Sequence, residues 1–119
     1  MGYTNYWYQT KSFTNEEWEK VLEEYDYIQD VLGVDELIID DTKDYNVAIV
    51  FNGNPENDQD HETFLLYKDA KTKANAPAIG DITFNFCKTA EKPYDIAVWH
   101  LLSFAYHNTK AITKISRDR

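Results

Sequence analysis

Residues 84–95 read FNFCKTAEKPYD, and this stretch carries the change from strand to helix that decides the fold. Phe84 and Phe86 alternate with smaller residues at the period of two that is typical of a β-strand. Pro93 is tolerated in the first turn of a helix, and the residues that follow it are apolar on nearly every side as far as about His107. The pattern therefore predicts a strand that leads directly into a largely buried helix.

The rest of the chain shows the same two periodicities. Thr14 and Glu17 have the spacing of a capping box, and Phe13 and Trp18 have the spacing of a hydrophobic staple. The predicted elements are a strand over Tyr3–Gln9, a helix that begins at Thr14 and stops at Gly33, strands over Leu37–Asp40, Tyr45–Phe51, Glu62–Tyr67 and Asp81–Cys87, a helix over Pro93–His107, and an edge strand over Ala111–Ile115. We therefore predict a single α+β domain over residues 1–119, with a mostly antiparallel sheet of five or six strands and two helices.

The composition is that of a folded chain. Of its 119 residues 15% are aromatic, whereas disordered chains lack aromatic residues. Cys87 is the single cysteine, so an internal disulfide is excluded, and no apolar run reaches the roughly 18 residues of a membrane-spanning helix. We expect a soluble intracellular protein.

The charge is divided unevenly along the chain. The net charge is −9, and between Thr14 and Glu62 sixteen acidic residues face only Lys20 and Lys43, a local balance of −14. The remainder carries ten basic and five acidic residues. Such an acidic surface would repel a nucleic-acid polymer, whereas the basic remainder can accept a small anion. Acidic runs are also common as plain solvated surface, and that interpretation stays open.

The residue types do not favour metal binding or catalysis. The polar loop over residues 52–61 and Glu62 directly after it supply oxygen ligands but lack the spacing of an EF-hand, and His100 and His107 are about 10 Å apart along one helix. Cys87 has no histidine beside it in the sequence and is expected to be a small buried apolar residue. Glu91 and Asp95 stand where a helix start attracts acids for reasons of the helix dipole alone. We predict no enzyme, no metal and no cofactor.

The strand-to-helix junction has two interpretations. In one interpretation Lys88, Thr89 and Lys92 solvate the helix start, and in the other they hold an anion. A helix start offers free amides and a partial positive charge, lysine suits phosphate as a point charge, and threonine adds a hydroxyl donor. Tyr94 belongs to the same cluster. The second interpretation predicts a phosphate site at the junction.

Aromatic residues on the adjacent strands can stack on a base, and the candidates are Tyr3, Tyr6, Trp7, Phe84 and Phe86. We expect the opening strand to lie beside residues 84–89, so that Tyr6, Trp7 and Phe84 line one pocket with the lysines. Because strand side chains alternate, Tyr6 and Trp7 cannot both face the pocket, and at least one of them should be buried in the core. The predicted ligand-binding residues are Tyr3, Tyr6, Trp7, Phe84, Lys88, Thr89, Lys92 and Tyr94.

Several motifs together resemble a widespread family of small proteins encoded by phages and prophages. That family has an opening MGYTHYW, a helix start F-T-x-E-x-W, an F-N-G near mid-chain, and then F-x-F-C-K-T-x-x-K-P-Y-D. The matching residues are Gly2-Tyr3-Thr4, Tyr6-Trp7, Phe13-Thr14, Trp18, Phe51-Asn52-Gly53 and Phe84 through Asp95. Asn5 stands where the pattern has histidine, so no role of that histidine is carried over.

The resemblance implies a viral protein of the host cytoplasm that acts as a sponge. It would bind a cyclic dinucleotide made by a host cGAS-like enzyme, and it would blunt CBASS immunity without cutting the ligand. A nucleotide signal of another kind, such as a TIR-derived ADP-ribose species, fits the same residues. Two other classes remain open: an acidic mimic of DNA or another interaction protein that inhibits a host factor, and a nucleotide-processing enzyme.

The expected partners follow from these interpretations. We predict a small nucleotide ligand, with no nucleic-acid polymer and no membrane. We also predict a homodimer, because the second helix carries Trp99, Phe104 and Tyr106 on different sides and is apolar on more faces than a small domain hides. A two-fold axis would suit a pseudo-symmetric dinucleotide.

Overall fold

A computed structural model describes residues 4–32, 37–39, 44–70, 78–79, 82–90 and 92–118. The elements, in chain order, are β1 (Thr4–Gln9), α1 (Asn15–Leu32), β2 (Leu37–Ile39), β3 (Ala48–Gly53), a short 3-10 helix (Pro55–Asn57), β4 (Phe64–Tyr67), β5 (Ala78–Ile79), β6 (Ile82–Lys88), α2 (Asp95–Asn108) and β7 (Ile112–Asp118). The prediction of an α+β fold with antiparallel strands and two helices is confirmed for this part of the chain.

The described strands are divided between two sheets. One sheet has the order β5-β6-β1-β7 and the other has the order β2-β3-β4. Every pairing is antiparallel. The sequence predicted a single sheet, but β1 pairs with β6 on one side and with β7 on the other, so β1 offers no free edge to β3 or β4. The opening strand thus becomes an inner strand of a sheet built mainly from the C-terminal third of the chain.

Helix α1 begins as its sequence predicts. The amide of Glu17 donates to Thr14 Oγ1 at 3.1 Å, and the amide of Thr14 donates to Glu17 Oε1 at 2.9 Å, which completes the capping box. The rings of Phe13 and Trp18 pack with centroids 5.2 Å apart as the staple. The predicted stop at Gly33 lies outside the described residues.

A series of contacting aromatic rings joins the two sheets to α1. The ring of Trp7 on β1 lies 5.4 Å from that of Phe64 on β4, and Phe64 lies 5.0 Å from Phe51 on β3. Phe51 in turn stacks on Tyr25 of α1 at 5.4 Å. Helix α2 covers the same face of the four-stranded sheet and packs against α1, and its Leu101 is fully buried. The core is therefore shared by both sheets and both helices.

Some element bounds differ from the sequence prediction. Strand β3 begins at Ala48 rather than Tyr45, because Asp44 accepts hydrogen bonds from the amides of Asn46, Val47 and Ala48 and holds them in a turn. Strand β7 continues to Asp118, three residues beyond the predicted end. Its extra length matters, because it carries a basic side chain to the start of α2. Neither of the described helices is both long and apolar enough to cross a membrane.

Candidate ligand-binding site

The junction between β6 and α2 is a tight turn. The amide of Lys92 donates to the carbonyl of Thr89 at 3.0 Å, and Ala90 inside the turn has φ 52°. A positive φ is unfavourable for a residue with a Cβ, so the turn is held in place by its surroundings. Lys88 ends β6 just before this turn, and Asp95 begins α2 just after it.

A buried polar network holds the start of α2. One carboxylate oxygen of Asp95 accepts from Asn5 Nδ2 at 2.7 Å and from Thr89 Oγ1 at 2.6 Å, and the other forms an ion pair with Arg117. Arg117 also donates from Nε to Asn5 Oδ1 at 3.0 Å, and its guanidinium lies 4.7 Å from the ring of Trp99. Thr89 is fully buried, and Asn5 and Asp95 are nearly so. The positive end of α2 is thus occupied by the protein's own carboxylate.

A second internal cluster surrounds the backbone of Glu62. Its carbonyl accepts from the hydroxyl of Tyr94 at 2.5 Å and from Cys87 Sγ at 3.6 Å, and its side chain accepts from the amide of Lys88 at 2.7 Å. Burial, and to a lesser extent the charge of Glu62, raises the pKa of the Cys87 thiol to about 12. Burial also raises the pKa of Tyr94, with a further contribution from Cys87. At neutral pH both groups are uncharged, and Cys87 is 1% exposed, as the sequence predicted.

Lys92 joins the junction to the loop that follows β3. Its Nζ donates to the carbonyl of Asp58 at 2.8 Å and lies 3.6 Å from the carboxylate of the same residue. The loop reaches this position because Gly53 lets the Gln59 carbonyl approach closely: a Cβ on Gly53 would lie 1.8 Å from that oxygen. Asn52 holds the far end of the loop by accepting from the His61 amide at 3.1 Å. The Phe51-Asn52-Gly53 motif therefore shapes the loop around the junction.

The outer face of the four-stranded sheet has a different character. The strand register places Tyr6 opposite Phe86 and Tyr8 opposite Phe84, so four aromatic side chains share the side that faces away from α2. Tyr6 stacks on Phe84 at 5.7 Å, Tyr8 lies 5.2 Å from Phe84, and Phe84 lies 6.2 Å from Phe86. Phe86 is 51% exposed. We call these four residues the aromatic platform.

Two lysines stand at opposite corners of the aromatic platform. Lys88 Nζ lies 6.0 Å from the ring of Phe86, and Lys114 Nζ lies 5.9 Å from the ring of Tyr8. Lys88 is on β6, at the end where Thr4 opposes it, whereas Lys114 is on β7 and opposes Tyr8 at the other end. The arrangement combines flat apolar surfaces with a positive charge on each side, which suits a ligand that has bases and phosphates.

The eight predicted ligand-binding residues do not form one site. Tyr6, Phe84 and Lys88 belong to the outer face, whereas Trp7, Thr89 and Tyr94 are buried, and Lys92 is tied to the loop after β3. Tyr3 lies outside the described residues. The predicted neighbourhood is confirmed, because β1 pairs with β6 from Thr4↔Lys88 to Gln9↔Thr83. The prediction that Tyr6 or Trp7 is core is also confirmed, because Trp7 is 2% exposed.

Two residues of this face were missed by the sequence prediction. Tyr8 lies on the same side of β1 as Tyr6, so the alternation of side chains along the strand was sufficient to predict that it belongs to the ligand-binding face. Lys114 gave no local signal, because its place beside Tyr8 depends on the pairing of β1 with β7 across the whole length of the chain.

Two cavities in the described part of the chain lie away from the aromatic platform. One, of about 580 Å³, lies around Phe13 and Lys68 near the start of α1. The other, of about 170 Å³, lies between α1 and α2. Phe86 of the platform is 51% exposed and its other three rings are partly exposed, as expected of a stacking site on a sheet. In the described residues no group of three or more metal-ligating side chains is close enough to hold an ion.

Comparisons with protein-family models, with curated proteins and with solved structures found no match to this chain. The resemblance of its motifs to the phage and prophage family therefore stays a hypothesis.

Proposed function

We propose that the protein binds and sequesters a small nucleotide signal on the aromatic platform without cleaving it. The observation that carries this proposal is the cluster of Tyr6, Tyr8, Phe84 and Phe86 on an open sheet face between Lys88 and Lys114. Base–aromatic stacking contributes about 1–3 kcal/mol per base, so two stacked bases would supply about 2–6 kcal/mol, to which the two phosphate contacts add. The net charge of −9 favours such a ligand over a nucleic-acid polymer, which needs many phosphate contacts.

The ligand class that we put first is a cyclic dinucleotide of CBASS immunity. This choice rests on the resemblance of the motifs to the phage and prophage family, and it makes the protein a viral sponge in the host cytoplasm. The absence of cleavage is supported by the internal roles of the reactive groups. Asp95 and Thr89 bond to each other, and the Cys87 thiol is buried with a raised pKa.

The proposed mode of binding involves two copies of the chain. We propose a homodimer in which two platforms face each other across a two-fold axis, so that one pseudo-symmetric ligand lies between them. Phe86 is 51% exposed and would then be covered by the ligand and the second copy. Light scattering of the protein with its ligand should return the mass of two chains, and the Phe86→Ser variant should return one.

Calorimetric titration tests ligand binding directly. Cyclic dinucleotides of several base compositions and ADP-ribose are titrated into the protein, and the ligand is recovered after denaturation and identified by mass. We expect one cyclic dinucleotide to bind and to be recovered intact. Recovery of a cleaved product would make the protein an enzyme, and binding of ADP-ribose instead would reassign the signal.

Substitution of two lysines distinguishes the aromatic platform from the junction as the site that binds the anion. Lys88→Ala should weaken binding by about tenfold, because a charged hydrogen bond to phosphate is lost. Lys92→Ala should leave affinity unchanged, because Lys92 already bonds to Asp58. Lys110→Ala, an exposed lysine in the turn before β7, is the control for net charge. The opposite result, a loss with Lys92→Ala alone, would return the site to the junction.

A further inference from the structure

Helices α1 and α2 leave an apolar groove between them, on a surface separate from the aromatic platform. The groove has a volume of about 170 Å³. Its lining residues are Tyr27, Ile28, Val31, Ile96, Ala97 and His100. Ile28 and Ala97 form its buried floor, so the groove opens directly onto the core.

The rim of the groove is unusually exposed for apolar residues. Tyr27 is 58% exposed, Val31 is 63% exposed and Ile96 is 65% exposed. These are three of the six large apolar side chains that are exposed in the described part of the chain. A cluster of exposed apolar side chains around a cavity is typical of an interaction site, whereas scattered single residues are not.

The helices are held together beside the groove. His100 of α2 bonds through Nε2 to Glu24 of α1. This contact adds to the direct packing of α1 against α2, so the groove is part of the folded surface.

The charge beside the groove selects its occupant. Helix α1 carries seven acidic residues and a single lysine. Glu23 and Asp30 are exposed and lie one turn before and after Tyr27, and Glu16, Glu19 and Asp26 continue this acidic ridge on the solvent side of the helix. A second copy of the chain would bring the same ridge against this one, and like charges at close range oppose association. A basic partner would be attracted by it.

We propose that this groove binds a basic amphipathic segment of another protein. The apolar side chains of the segment occupy the space between Val31 and Ile96, and its lysines or arginines lie along the ridge at Glu23 and Asp30. The mode is that of a helix or extended segment laid into a groove, in which apolar anchors give affinity and charges give orientation and association rate.

The test uses a fluorescent peptide of leucine and lysine at helical spacing and measures anisotropy with the full-length protein. Two control peptides replace the leucines with serine or the lysines with glutamate. We expect the leucine–lysine peptide to bind, both controls to bind at least about tenfold more weakly, and the affinity to fall as salt rises. Equal binding of the serine–lysine peptide would show that the acidic charge alone attracts it, and the proposal would fail.

Matched variants locate the binding surface. The pair Val31→Ser and Ile96→Ser should weaken peptide binding by about tenfold or more, whereas Val47→Ser, which is similarly exposed elsewhere, should not change it. The pair Glu23→Lys and Asp30→Lys lies on the solvent face and should also weaken binding, whereas Glu56→Lys should have little effect on it. If the serine pair fails to fold, this charge-reversal pair decides the result.

Three outcomes would overturn the proposal. They are equal affinity of all variants, absence of peptide binding, and a fall in the mass of the protein caused by the serine pair. The last result would assign the groove to a second copy of this chain.

Discussion

The two sides of strand β1 differ in burial, and most of the residue types on each side are the reverse of those usually found there. The inner side presents Asn5, Trp7 and Gln9, which are at most 2% exposed. Two of these three buried side chains are polar. The outer side presents Tyr6 and Tyr8, which stay partly exposed. Ordinarily the polar residues would face water and the aromatic ones would face the core.

The inner polar side chains are explained by what they join. Gln9 donates from Nε2 to the carbonyl of Tyr67 at 2.8 Å and so ties the first sheet to the end of β4. Asn5 bridges Asp95 and Arg117 and so ties the opening strand to the start of α2 and to the last strand. Buried polar groups of this kind specify one arrangement of elements, because any other arrangement leaves them unpaired.

The outer aromatic side chains do not join distant elements of the fold in this way. Tyr6 and Phe84 pack on each other, yet Phe86 remains 51% exposed beside Lys88. The inner side of β1 therefore maintains the fold, whereas the outer side is left accessible to the proposed ligand.

The inner network should be the most sensitive part of the molecule. Asp95→Ala removes the carboxylate that pairs with the largely buried Arg117 guanidinium and accepts from Asn5 and Thr89, so we expect the free energy of unfolding to fall by about 3–5 kcal/mol. Urea unfolding followed by tryptophan fluorescence measures this. Asp118→Ala, at the exposed end of the same strand β7, is the control and should change stability little. A small effect of Asp95→Ala would mean that the network does not hold α2.

The aromatic core should be nearly as sensitive. Trp7→Ala removes the ring that contacts Phe64 between the two sheets, and we expect a loss of about 3–5 kcal/mol in unfolding free energy from the cavity that remains. Thermal unfolding by circular dichroism measures it. If Trp7→Ala kept its stability but lost nucleotide binding, the ligand would lie on the inner side and the comparison would be inverted.

The outer side should give the complementary result. Phe86→Ser should leave the unfolding free energy within about 0.5 kcal/mol of that of the wild type, because the ring is half exposed. It should lower nucleotide affinity by the equivalent of about 1–3 kcal/mol, which is one lost stacking contact. Calorimetry measures the affinity, and Tyr106→Ser, an exposed tyrosine on α2, is the control. A loss of stability without a loss of affinity would make the platform part of the fold.

Local patterns were sufficient to predict much of the fold. The capping box at Thr14 and the staple between Phe13 and Trp18 act within a few residues, and both are formed as predicted. The alternation over Phe84 and Phe86 likewise gives the strand and its sides. Such features depend on neighbouring residues, so the sequence states them directly.

Pairings between distant parts of the chain were not predictable in the same way. The division into two sheets depends on β1 pairing with β6 and β7, and no local motif encodes it. For the same reason Thr89 was expected to face a phosphate, whereas its hydroxyl bonds to Asp95 and it is fully buried. The role of Arg117 also escaped the sequence prediction, because it acts on a residue at the start of α2 from the far end of the chain.

The last prediction uses Cys87, which lies on the inner side of β6 directly beside Phe86 on the outer side. Its thiol pKa is raised to about 12, chiefly by burial, so the neutral thiol is favoured by the folded state. The stability that this contributes is complete below the ordinary thiol pKa near 9 and is lost as the pH rises from there towards 12. Labelling with iodoacetamide at pH 9 should therefore be slow in the native protein and fast after unfolding, because the thiolate is the reactive form. A Phe86→Cys variant that also carries Cys87→Ala moves the thiol to the outer side by one residue and should label in the native state about as fast as a free thiol. Rapid native labelling of Cys87 would show that the inner side opens to solvent, and equal rates at both positions would remove the difference between the two sides.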